Sequence, residues 1–322
     1  MRHTEIGGRK VSALCLGAMK FGSQTDDAAS TALLDRFLRA GGTFVDTADC
    51  YQYWVDGFEG HESEAFLGRW RRGQGITDEV VIATKIGAQP TVPGGGPEAW
   101  EGLSAQVVAS AAERSRRRLG VDRIDLLYTH KEDRATPVEE TMAALARLVD
   151  AGEVSQLGMS NHRTWRLERA RAALQGHGHR ATVLQYRYSY LQPRHETRLE
   201  SDGFTHVTPE LLDYVGAENA AGRDLALVAY TSLLGGAYAR PERAAALGPA
   251  YDHPGNRNRL AALDEVARTA GATRNQVVLS WLIGGGIIPV VGVGDAAQLD
   301  EAVEATDLEL DAEQRRILDE AH

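Results

Sequence analysis

Four ionisable side chains of complementary type stand at the ends of short apolar runs. Asp46 and Tyr51 lie in FVDTADCY (44–51), Lys85 in ATKIG (83–87) and His130 in LYTHKE (127–132). Taken singly, each reads equally well as a satisfied structural residue or a polar loop position. Taken together, they suit protonation of an oxygen on which negative charge develops. A tyrosine hydroxyl, with an ordinary pKa of ~10, exchanges protons poorly near neutrality. An ammonium beside it favours the phenolate, and a buried carboxylate keeps that ammonium charged. Lowering the tyrosine by ~2–3 units takes roughly 3–4 kcal/mol, which one partly desolvated lysine at ~4 Å can supply. An imidazole within reach would orient a carbonyl and polarise it by hydrogen bonding. These are the parts of a carbonyl reductase that needs no metal.

Such a set works only if the fold brings the four strand ends to one face. The chain of 322 residues alternates short apolar runs with amphipathic segments. After RHTEIGGRKVS, which reads as a β-hairpin turned at Gly7-Gly8, eight strands are predicted. They cover 14–19, 43–48, 80–86, 124–130, 155–161, 183–189, 226–232 and 287–293. Helical patterns cover 26–42, 104–120, 137–153, 163–175, 208–221, 258–270 and 273–283. Residues 26–42 carry Leu33, Leu34, Phe37 and Leu38 on one face, and Ser104 reads as a cap. No composition break marks a second domain. The pattern predicts a (β/α)8 TIM barrel over 1–322, with long loops after strands 2, 6 and 7 at 49–61, 190–207 and 233–256. Barrel chemistry sits at the C-terminal strand ends, where Asp46, Lys85 and His130 fall and Tyr51 follows.

With these motifs assembled, the chain resembles the aldo-keto reductase family over nearly its full length, including the branch that contains potassium-channel β subunits. DTADCY is similar to that family's aspartate-to-tyrosine signature, ATKIG to its lysine strand and DLLYTH to its histidine strand. The resemblance implies Tyr51 as general acid/base, Lys85 and Asp46 as the groups that tune it, and His130 as the group that positions the carbonyl. It also implies a nicotinamide dinucleotide extended across the barrel mouth, in keeping with the absence of a convincing G-x-G-x-x-G. Ser160 and Asn161 in LGMSNH, with Gln185, resemble the residues that hold the carboxamide. Tyr230 resembles the aromatic under the nicotinamide. Thr231, Leu233 and Gly235 fall where backbone meets the pyrophosphate, and Gly292, Gly294, Asp295, Gln298 and Glu301 fall near the adenosine. A carboxamide's donors and acceptors suit two amides and a hydroxyl, and a flat ring suits an aromatic platform.

The segment after strand 8 departs from the family. Gly294 and Asp295 stand where a small polar and a basic or amide residue usually grip a 2′-phosphate, and Ala302 replaces an asparagine often found near adenine. A carboxylate repels that phosphate and accepts hydrogen bonds from a free ribose diol. The expected cofactor is NADP(H), with NAD(H) kept open by Gly294, Asp295 and Ala302. HKED after His130 also departs; Lys131 and Glu132 either reshape the substrate wall or, the preferred reading, belong to a solvated charged turn. Trp54 and Phe58 line a substrate wall or pin their loop. HGH (177–179) sits at the barrel bottom, and no metal site is expected. RSRRR (114–118) reads as a solvated helix end.

A net charge of -10 argues against nucleic acid or an anionic membrane as partner. Two cysteines and the absence of a signal-length apolar segment predict a cytoplasmic protein acting on a small carbonyl compound. Nothing in the sequence sets the oligomeric state, the direction of reaction or the substrate. Two other readings use the same residues. A lyase would form a Schiff base on Lys85 but leaves Ser160, Asn161, Gln185 and Tyr230 idle. A cofactor-binding, redox-sensing partner subunit would not need all four polar groups.

Overall fold

The computed structural model describes residues 1–194 and 204–322. Strands β1 (His3–Ile6) and β2 (Arg9–Ser12) pair antiparallel, and Gly7 and Gly8 make the turn with φ of +51° and +78°. The barrel strands follow: β3 (Cys15–Gly17), β4 (Phe44–Asp46), β5 (Val81–Ile86), β6 (Ile124–Thr129), β7 (Val154–Ser160), β8 (Ala181–Arg187), β9 (Ala226–Tyr230) and β10 (Ile287–Val291). Every neighbouring pair is parallel, and β10 pairs with both β9 and β3, so the barrel closes. All eight predicted strands are present. The hairpin packs Ile6 and Val11 into the barrel interior, and Gln156 Nε2 donates to the carbonyls of Ile6 and Gly7, so β1 and β2 plug the bottom of the barrel.

Helices run between the strands. Those at Asp27–Arg39, Ala105–Leu119, Val138–Asp150, Thr164–Gly176, Pro209–Ala220, Pro254–Ala270 and Arg274–Gly284 match the periodicity of the sequence. Glu62–Gln74, Ala296–Glu304 and Ala312–Glu320 were not expected from it. The first of these is rich in charge, yet it buries Phe66, Leu67 and Trp70. It packs so closely on the next helix that a Cβ on Gly68 would lie 2.1 Å from the Arg118 carbonyl oxygen.

Period-two alternation aims the site. Phe44, Ala83, Tyr128, Val183 and Val228 fill the barrel interior. Two residues further along each strand come Asp46, Lys85, His130, Gln185 and Tyr230, which therefore turn into the barrel mouth. Gly158 obeys the same parity with Ser160. A Cβ there would lie 2.4 Å from the Tyr128 ring, so the missing side chain is what lets Tyr128 fill the interior.

The loop after β4 is long, as expected. Residues 195–203 of the expected 190–207 loop lie outside the described residues. The 233–256 connection holds a 3-10 turn (Leu234–Gly236) and a short helix (Pro241–Ala245). A further long connection, 87–104 after β5, also reaches the mouth, where Pro90 bridges Trp100.

Candidate active site

Asp46, Tyr51, Lys85 and His130 converge as the barrel requires. Lys85, 1% exposed, donates from Nζ to Asp46 Oδ1 at 2.5 Å, to the Thr47 carbonyl at 2.7 Å and to the Tyr51 hydroxyl at 2.6 Å. The other oxygen of Asp46 accepts from Gln185 Nε2 at 2.7 Å, and the Tyr51 hydroxyl lies 3.3 Å from Oδ1. The rings of Tyr51 and His130 meet edge to face with centroids 5.9 Å apart. Nδ1 of His130 faces Cys50 Sγ at 3.4 Å.

The direction of the Tyr51 shift corrects the sequence expectation. Burial and then the Asp46 charge push the hydroxyl well above its usual range. The ammonium does touch the phenol, but it is shared with a carboxylate equally close, so its lowering effect is offset. The phenol is held protonated, as a proton donor must be. Burial, then the Lys85 and Lys131 charges, hold His130 well below its usual pKa, so the ring is neutral at pH 7 and acts as an uncharged donor.

Ser160, Asn161 and Tyr230 form a second connected group. Asn161, at φ +57°, donates from Nδ2 to the His130 carbonyl at 3.0 Å and to Ser160 Oγ at 2.9 Å. Its Oδ1 accepts from the Tyr230 hydroxyl at 2.9 Å and from the Thr205 amide at 3.1 Å. Ser160 Oγ donates to the Gln185 carbonyl at 2.8 Å. These bonds fix the ring plane of Tyr230 at the mouth. Beyond β9, Thr231, Leu234, Gly235 and Gly236 all take positive φ, and the Leu234 and Gly236 amides donate to the Thr231 and Leu233 carbonyls within the turn. A Cβ at Gly235 or at Gly292 would meet nothing within 4 Å, so both border open space.

The adenosine-end residues are otherwise committed. Asp295 caps the helix Ala296–Glu304 by accepting from the Gln298 amide at 2.9 Å, and Gln298 in turn holds the Gly294 amide. Glu301 accepts from Thr273 and Asn275. Ala302 is buried in the core beside Leu299.

Several expectations about the loops change. Lys131 Nζ lies 3.2 Å above the Trp100 ring, and Glu132 accepts from the Arg163 amide, so HKED is a pinned wall of the mouth. Trp100 donates from its indole to Tyr53 and packs edge-on against Phe204, which in turn packs on His130. Trp100 and Phe204 were missed because they lie in Gly- and Pro-punctuated or irregular segments with no periodicity. Trp54 is 53% exposed, and with Phe58 it borders a cleft of about 450 Å3. His179 pairs with Asp150 at the barrel bottom. Arg118 of RSRRR pairs with the buried Glu64, and Arg116 and Arg117 pair with Glu113. Both cysteines are free. Among the described residues no helix is long and apolar enough to cross a membrane.

Residues 13–322 match the model of the aldo/keto reductase family. The chain belongs to that family. The match is to the family as a whole and does not single out the potassium-channel β-subunit branch. This aldo/keto reductase is 30% identical to the uncharacterized oxidoreductase YrpG of Bacillus subtilis, over 99% of this chain and 95% of the relative. It is 32% identical to norsolorinic acid reductase stcV of Emericella nidulans, over 96% and 78%. The crystal structure of the thermostable aldo-keto reductase Tm1743, in complex with the inhibitor epalrestat, superposes with a TM-score of 0.74 at 24% identity, covering 100% of both chains. That likeness supports the fold. The family generally uses NAD(P)H and acts on small carbonyl compounds, which places this chain among the oxidoreductases.

Proposed function

We propose that the protein reduces an aldehyde or ketone to an alcohol with NAD(P)H, as one barrel domain, with Tyr51 as the proton donor. The observation that carries this reading is the Lys85 ammonium bridging Asp46 and Tyr51 beside a neutral His130. The substrate oxygen lies between the Tyr51 hydroxyl and His130. His130 donates from Nε2 to the carbonyl, polarising it, and Tyr51 gives up its proton as charge develops on the oxygen. Lys85 stabilises the resulting phenolate at 2.6 Å, and Asp46 and Gln185 hold Lys85 in place.

The residues fit a nicotinamide dinucleotide. Tyr230 offers a fixed ring face, Ser160, Asn161 and Gln185 carry the hydroxyl and amide groups that match a carboxamide and are here bonded within the protein, and Gly235, one of four positive-φ residues after β9, borders open space for a phosphate. The cofactor supplies the hydride. NADP(H) is the first choice as the family default, and NAD(H) is the alternative that Gly294 and Asp295 favour. Among the described residues the Asp295 carboxylate accepts from the Gln298 amide and side chain and forms no ion pair.

The three hydrogen bonds at Lys85 Nζ use every proton of an ammonium. That arrangement does not support a nucleophilic, neutral lysine, so the Schiff-base lyase falls behind. Tryptophan quenching on titration with NADPH and with NADH, followed by turnover with a carbonyl panel, tests the proposal. Tight binding with consumption of reduced cofactor is expected. Binding of neither nucleotide would overturn the cofactor site, and binding without turnover would overturn the reductase.

A further inference from the structure

Asp49 and Cys50 sit in the middle of DTADCY, and the mechanism uses neither. The loop folds so that both lie against His130, with Cys50 on the Nδ1 side of the ring. A carboxylate oxygen of Asp49, Sγ of Cys50 and a ring nitrogen of His130 all lie within 4.8 Å of one another, and all three residues are buried. The Cys50–His130 edge is 3.4 Å and involves Nδ1.

A second observation points to a cation site. Asp49 is 1% exposed, yet among the described residues its carboxylate oxygens have no hydrogen-bond partner beyond the neighbouring Cys50 thiol. Buried carboxylates are nearly always paired or ligating. Burial, and then the Glu64 and Glu101 charges, push the Asp49 carboxyl well above its usual range. The arginines nearest in effect, Arg118 and Arg114, are already paired with those same glutamates.

We propose that Asp49, Cys50 and His130 form a binding site for a divalent cation of the zinc class, with three protein ligands and an open fourth position. One oxygen, one sulfur and one nitrogen suit a borderline-soft ion, whereas calcium or magnesium would want a shell of oxygens. Bond lengths of ~2.0–2.3 Å to these ligand types in a tetrahedron require ligand-to-ligand edges of roughly 3.3–3.7 Å. The sulfur-to-nitrogen edge already meets that, and the edges to Asp49, each within 4.8 Å, must shorten on binding. On binding, the Cys50 thiol proton passes to solvent as the sulfur–metal bond forms. The Asp49 carboxyl proton passes to solvent in the same way, as its oxygen–metal bond forms, and His130 gives the Nδ1 lone pair while keeping its proton on Nε2. The two anionic ligands then neutralise the ion, and the Lys85 charge stays matched by Asp46. Occupancy ties down the ring that polarises the carbonyl.

Cobalt(II) titration of the chelator-stripped protein tests this without reference to turnover. One equivalent of Co2+ should give thiolate-to-cobalt charge-transfer absorption with the intense visible bands of four-coordinate cobalt, and Zn2+ should abolish both. Cys50→Ala and the near-isosteric Cys50→Ser should each lose the charge-transfer band, and Asp49→Asn should bind about tenfold more weakly or worse. Circular dichroism and melting temperature establish that each variant is folded, and a folded serine variant suffices if the alanine variant is not. A spectrum without charge transfer, a band that survives in a thiol-free variant, or unchanged affinity in Asp49→Asn would overturn the proposal.

Discussion

Replacing Asp46 with asparagine keeps the side-chain volume and removes the one charge that matches Lys85. Asp46 accepts from Lys85 at 2.5 Å, from Gln185 at 2.7 Å and from Tyr51 at 3.3 Å. Lys85 is 1% exposed, so water cannot take over as partner. Breaking a buried pair by removing one member costs ~3–5 kcal/mol, because the other charge is left uncompensated. The unfolding entropy of 322 residues, at ~2.1 cal/mol/K each, is about 0.7 kcal/mol/K. Asp46→Asn should therefore lower the melting temperature by about 4–7 °C. Turnover should fall at least roughly 100-fold, as the proton donor loses its aligned ammonium. The double variant Asp46→Asn/Lys85→Met separates the two effects. It removes both charges and should regain most of the lost stability, while turnover stays lost. Calorimetric melting and consumption of reduced cofactor read the two quantities. A single variant that melts within about 1 °C of the parent, or a double variant less stable than both singles, would refute the reasoning.

Other outcomes follow from the same geometry. Tyr51→Phe removes the hydroxyl alone and should lower kcat roughly 10²–10⁴-fold, or ~2.7–5.4 kcal/mol, with nucleotide affinity within a few-fold by fluorescence titration; near-normal turnover would mean another group delivers the proton. His162 donates to the Ser160 carbonyl at 2.8 Å, and burial lowers its pKa to about 4. The unfolded chain binds that proton near pH 6.5, so stability is whole above 6.5, falls as pH drops toward about 4 and then levels. Urea titrations should show His162→Gln losing about 1.4 kcal/mol per pH unit of that slope, and an unchanged slope would exclude His162 as its source. Gly158→Ala places a Cβ 2.4 Å from the Tyr128 ring and 3.0 Å from the Val183 carbonyl. It should destabilise by ~1–3 kcal/mol, and adding Tyr128→Leu should return part of that loss in the same unfolding assay.

Much of the site was legible because a barrel strand has a period of two and ends at a defined face. Once the eight apolar runs were placed, the parity that buries Phe44, Ala83 and Val183 aimed Asp46, Lys85 and Gln185 at the mouth. The helix Glu62–Gln74 escaped notice because its charges mask a buried face that only close packing at Gly68 reveals. Trp100 and Phe204 escaped because loop residues carry no periodicity, and their contact with His130 crosses long stretches of chain.

The sequence by itself determined the strand count, the alternation and the four residue types that meet at the strand ends, because these depend on local pattern. The tertiary structure alone decided the electrostatics. Whether Lys85 lowers Tyr51 depends on how its charge is divided between Tyr51 and Asp46, and burial outweighs it. Whether Asp295 is free depends on a helix starting beside it. Whether Asp49 has a partner depends on what the closed barrel packs around it. Charge, desolvation and hydrogen bonding depend on distances between residues far apart in the chain, and the fold sets those distances.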